Sequence, residues 1–129
     1  MNVKKFEVPI YNYPIVLCFG QNQDFIDYCR KTYKQIPGEN FDDFAEGYAM
    51  QLERIKNGVK ELNLVMFIRD KDRFGNTISE TVNHEAIHIA WTILDFVGIS
   101  LNEQNHEALA YLVTFITREV TKNIDKWTK

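Results

Sequence analysis

The sequence predicts a single α+β domain spanning residues 1–129, and three observations carry that prediction. Apolar residues alternate with a period of two through much of the first half, the pattern of half-buried strands. From Ile78 to Val97 no Gly or Pro interrupts a long helical stretch, and a second amphipathic stretch follows. With 129 residues, 45% of them apolar and 26% charged, the chain has the size and composition of one globular domain.

Taken in order, Phe6 to Phe19 read as extended. Phe6, Val8 and Ile10 alternate on one parity, and Tyr11, Tyr13, Ile15, Leu17 and Phe19 on the other. The change of parity predicts a bend or bulge between two strand segments. A helix is expected from Asp24 to Gln35, where Phe25, Cys29, Thr32, Tyr33 and Ile36 recur at helical spacing and Pro37-Gly38 stops it. Tyr48, Met50 and Leu52 then alternate, and Leu62 to Ile68 form a second apolar run. Asn57-Gly58 between them is a tight-turn dipeptide and predicts a hairpin, although a helix over Phe41 to Leu62 is the alternative its Glu, Gln, Arg and Lys content allows. Asp70 to Asn76 is polar and reads as a loop. Gly98 stands where a helix C-cap belongs, and Ser100-Leu-Asn-Glu103 fits a capping box opening a last helix to about Asn123.

Composition excludes several classes of function. A net charge of −3 without a basic cluster argues against nucleic acid as a partner. Lys4 and Lys5 precede no signal-like apolar core, and no window has the length of a membrane span, so a cytoplasmic protein without a membrane partner is expected. Cys18 and Cys29 lack CxxC spacing and are expected as reduced core thiols.

Chemistry concentrates in His84-Glu85-Ala86-Ile87-His88. Residues four apart share a helix face, so both imidazoles can address one ion, and zinc accepts such nitrogens at roughly 2.0 Å. Glu85 is displaced about 100° around the helix, beside such an ion rather than on it, where a general base for water belongs. This is the H-E-x-x-H pattern. A catalytic zinc takes three protein ligands and keeps one position open. Glu107 follows His88 by nineteen residues, and an antiparallel return of the chain after Gly98 would bring it beside the pair. His106 is the rival third ligand, since adjacent helix positions diverge by about 100° and only one can face the ion.

These residues resemble the gluzincin arrangement of thermolysin-like zinc peptidases, reduced to a minimal domain. His-Glu-Ala-Ile-His followed by Asn105-His106-Glu107-Ala108-Leu109-Ala110-Tyr111-Leu112 is also similar to small zincin-like proteins of phages and prophages. The metzincin extension is absent, because Trp91 and Leu94 occupy its Gly and third-His positions. The resemblance implies a small mixed sheet packed on the motif helix and the glutamate helix. It further implies His84, His88 and Glu107 as zinc ligands, Glu85 as the base, and a peptide or protein substrate. Tyr111 stands where thermolysin-like enzymes place an Asp; it is a candidate to orient Glu107 or to donate to a developing oxyanion. Asp95, two turns past His88, is an ordinary helix-end acid or a partner of a ligand. The alternative is a zincin-fold interaction or regulatory protein, with or without zinc, that turns over nothing.

Overall fold

Two central strands explain the architecture. Ile15 to Phe19 and Leu64 to Ile68 are buried without a break, which requires cover on both faces rather than one. The computed structural model describes residues 1–34, 46–70 and 78–129. Its elements are β1 (Asn2–Glu7), β2 (Pro14–Gly20), α1 (Asn22–Tyr33), β3 (Gly47–Lys56), β4 (Val59–Arg69), α2 (Ile78–Phe96) and α3 (His106–Trp127). The strands form one mixed sheet in the order β1-β2-β4-β3, with β2 and β4 parallel at its centre and the two outer pairs antiparallel. This is the α+β class that the sequence predicts.

Each face of the sheet has its own core. On one side Val16, Cys18, Leu52, Val65 and Phe67 meet Phe25, Cys29 and Tyr33 of α1. Phe25 stacks on Phe67 with ring centroids 4.4 Å apart. On the other side Ile15, Leu17, Phe19, Leu64, Met66 and Ile68 meet Val82, Ala86, Ile89 and Ile93 of α2, and Leu112, Ile116 and Val120 of α3. Both cysteines are free and buried, as expected, and burial pushes the Cys29 thiol up to about 12.

The Asn57-Gly58 hairpin forms where the sequence places it. Both residues hold left-handed φ, 54° and 77°, as a two-residue hairpin turn requires. Gly98 ends α2 with φ 78°.

Three expectations are corrected. The parity change near Ile10 is a full chain reversal rather than a bend in one extended segment. Val8 N–H donates to the Tyr13 carbonyl at 3.0 Å, Asn12 N–H donates to Val8 at 2.9 Å, and Ile10 and Asn12 take φ of 72° and 55°. Ser100 and Glu103 do not open the last helix, which begins at His106. Asn102 Oδ1 accepts from the Gln104 and Asn105 backbone at 2.8 and 3.2 Å, Asn105 Oδ1 accepts from Asn102 N–H at 2.8 Å, and Asn105 Nδ2 donates to the Ser100 carbonyl. These side chains tie 100–105 into a polar turn that competes with helix. α3 also runs past Asn123 to Trp127.

The Pro37-Gly38 stop, most of the 70–76 loop and the start of the alternative helix at Phe41 lie outside the described residues. Among the described residues no helix is long and apolar enough to cross a membrane.

Candidate metal centre and adjoining groove

α2 sorts its residues by face. Thr81, Val82, Glu85, Ala86, Ile89, Ala90, Ile93 and Leu94 are buried, while His84, His88 and Trp91 form an exposed stripe. The helical period places 84, 88 and 91 on one line, since 84 and 91 are two turns apart. The histidine pair therefore opens to solvent while the intervening glutamate is turned toward the sheet.

His84 Nε2 and His88 Nε2 stand 3.2 Å apart, their rings inclined at 70°. Two nitrogens each roughly 2.0–2.1 Å from a tetrahedral zinc are separated by about 3.3–3.4 Å. The pair thus has the bite of a zinc chelate, and the same separation also suits a hydrogen bond between a protonated and an unprotonated ring nitrogen.

Glu85 is 7% exposed, an unusual setting for a carboxylate. Desolvation pushes its pKa up, and the neighbouring His84 and His88 pull it partly back. It owes its place to β3. Gly47 has no side chain there, and a Cβ added to it would meet Thr81 Cγ2 at 2.7 Å, Glu85 Cγ at 2.9 Å and Glu85 Oε1 at 3.2 Å. The glycine lets strand and helix approach until the carboxylate sits against the strand. Among the described residues β3 pairs with β4 on one side only, so its other edge borders the site.

Two cavities meet at Glu85. One, of about 370 Å³, is lined by Glu46, Gly47, Glu80, Thr81, His84 and Glu85. The other, of about 400 Å³, is lined by Tyr48, Ala49, Glu85, His88, Trp91 and Thr92. A third, of about 310 Å³, continues from Trp91 to Leu94, Asp95 and the turn after α2.

The remaining candidates lie apart from this cluster. Thr117 Oγ1 donates to Asn83 Oδ1 at 3.4 Å, which fixes the level at which α3 returns past α2. Glu107, ten residues before Thr117, is therefore level with Ile93, roughly 7–8 Å along the axis beyond His88. Its side chain is 87% exposed and its Oε1 lies 3.9 Å from His106 Nδ1. His106 lies eleven residues before Thr117, so it shares the α2-facing side of α3, whereas Glu107 is turned about 80° from that side. Tyr111 is exposed at 43%, one turn after Glu107 on the same stripe. Asp95 is exposed. Among the described residues no group of three or more His, Cys, Asp or Glu side chains is placed to hold a metal ion.

The structure therefore brings His84, Glu85 and His88 together, while Glu107 and Tyr111 are turned away from α2 and His106 lies beyond the pair at the exposed start of α3. Sequence reasoning missed Gly47 and Trp91. The spacing of Trp91, three and seven residues after the two histidines, was the available signal for one; Gly47 had none, since its partner is distant in sequence. No family model matches this chain, and no curated protein or solved structure matches it either.

Proposed function

We propose that this chain is a zinc-dependent metallopeptidase whose metal is held by His84 and His88 and whose general base is Glu85. The observation that carries the reading is the 3.2 Å separation of the two Nε2 atoms, just under the roughly 3.3–3.4 Å of a tetrahedral zinc bite. When bound, zinc supplies Lewis acidity that makes water a competent nucleophile near neutral pH. Glu85 lines one cavity with His84 and the adjoining one with His88. Its carboxylate takes a proton from the attacking water and returns it to the departing amine. Burial suits that task, because a desolvated carboxylate is a stronger base than one in bulk water. Among the described residues β3 pairs in the sheet with β4 alone, and an edge strand beside the site suits a peptide substrate, since an extended chain can add to such a strand by main-chain hydrogen bonds. Glu107 and His106, the third donors expected from the sequence, stand apart from the pair in this structure, so the reading rests on the two histidines alone.

A second reading, a protein that binds zinc or a partner without turnover, is favoured by the distance of Glu107 from the pair. One experiment separates the two. Wild type and Glu85→Gln are compared on a peptide library at matched zinc content. Hydrolysis by wild type that Glu85→Gln loses, with zinc retained, is the expected result. Equal cleavage by both proteins contradicts the peptidase mechanism, and no cleavage by either supports the second reading.

A further inference from the structure

Trp91 is 55% exposed on the stripe that carries both histidines. A large aromatic ring left in water forgoes roughly the burial energy of a core residue. The site gives a reason for its position. Trp91 lines the cavity of about 400 Å³ that Glu85 and His88 also line, and it lines the next cavity of about 310 Å³ as well. It is the wall shared by the two, at the point where the groove leaves the polar centre.

We propose that Trp91 is a specificity-determining residue, receiving an aromatic or large aliphatic side chain of the peptide one or two residues from the bond cleaved. The inference rests on the peptidase reading and adds to it the class of substrate. For a peptide lying along α2 with its cleaved bond at His88, the register follows from two repeats. Trp91 lies three residues past His88, roughly 4.5 Å along α2. An extended peptide advances roughly 3.3 Å per residue, so 4.5 Å corresponds to between one and two residues. Ala49, the β3 residue in that cavity, is small and leaves room for a substrate ring against the indole. Offset or edge-on contact between two aromatic rings favours such a residue over Ala or Ser at the same place. Thr92, beside Trp91, donates its hydroxyl to the His88 carbonyl at 2.8 Å and leaves the ring as the apolar contact.

The test uses blocked eight-residue Ala/Ser peptides carrying one Phe at each position in turn, with an Ala/Ser peptide as reference. Trp127→Phe makes Trp91 the sole tryptophan, so its emission reports binding independently of turnover. Zinc-loaded Glu85→Gln in that background supplies the non-cleaving form. Cleavage is expected to fall one or two residues from Phe. Trp91→Ala should lower kcat/KM for the best Phe peptide by roughly ten-fold, and for the reference peptide by less than about two-fold. Trp91→Phe should recover much of the loss. Trp91 emission should shift with the Phe peptide and not with the reference. An equal loss on both peptides overturns the proposal, as does cleavage of the Phe peptide without any emission change. If no peptide is cleaved, the peptidase reading fails, and the emission titration alone decides here: a Phe-dependent shift supports the aromatic subsite and no shift overturns it. Emission that follows protein concentration instead of peptide assigns Trp91 to a contact between copies and also overturns it.

Discussion

Gly47→Ala is the substitution that most directly probes how the candidate base is held. The added methyl would stand 2.7 Å from Thr81 Cγ2 and 2.9 Å from Glu85 Cγ. Neither neighbour yields freely. Thr81 is β-branched and stiff in a helix, and its Cγ2 lies in the 7%-exposed interior of the α2–β3 contact. Glu85 Cγ is the middle of a side chain whose carboxylate is itself packed against the strand. Overpacking of this kind costs about 1–3 kcal/mol. For a chain of 129 residues, unfolding entropy scales to about 0.27 kcal/mol per degree, so melting should fall by about 4–11 °C. Thermal unfolding by circular dichroism measures it. Thr81→Ser removes the closer methyl, so Gly47→Ala/Thr81→Ser should be more stable than the sum of the single changes predicts. Under the proposed mechanism the methyl also displaces the base, so hydrolysis should drop further than stability alone explains at a temperature where both proteins are folded. A Gly47→Ala protein melting within about 1 °C of wild type refutes the argument that β3 and α2 approach closely at this point.

Three further outcomes follow from the same geometry. Glu61 accepts from Arg54 and from Lys5, which holds its carboxyl down at about 2 from an ordinary 4.5. A lowered folded pKa stabilises above the unfolded value, so this contribution is intact above about pH 4.5 and is lost as pH falls toward 2. Glu61→Gln should flatten the melting temperature over that window, and an unchanged acid limb contradicts the assignment. Gly98→Ala places a side chain at φ 78° and should cost about 1 kcal/mol, roughly 4 °C, with zinc content unchanged. Trp91→Ala should leave the melting temperature nearly untouched, because more than half of the residue is in solvent, and under the proposal above should impair cleavage of aromatic peptides selectively.

What the sequence made legible was local. Asn57-Gly58 named its hairpin because both residues tolerate left-handed φ. The motif helix and Gly98 were equally readable, each signal lying within a few turns of its effect. The reversal at Ile10 was not, because a β-branched residue at φ 72° has no composition signature, and alternation alone cannot distinguish a bulge from a turn. The start of α3 was misplaced because Ser100 and Glu103 satisfy a local pattern, whereas Asn102 and Asn105 form the competing hydrogen bonds. The same displacement bears on Glu107, which falls in the first turn of α3 with its side chain in solvent. The setting of Glu85 was invisible, since it depends on Gly47 of a strand nearly forty positions away.

The central claim is that His84 and His88 form a zinc chelate. The direct measurement is zinc bound per chain after dialysis against a buffered zinc concentration, for wild type and single variants. About one zinc per wild-type chain is expected, with the metal lost in His84→Ala and in His88→Ala and kept in Glu85→Gln. Glu107→Gln and His106→Gln, measured alongside, test whether either contributes to zinc binding at all. Wild type that takes up no zinc, or equal uptake by wild type and both histidine variants, contradicts the claim.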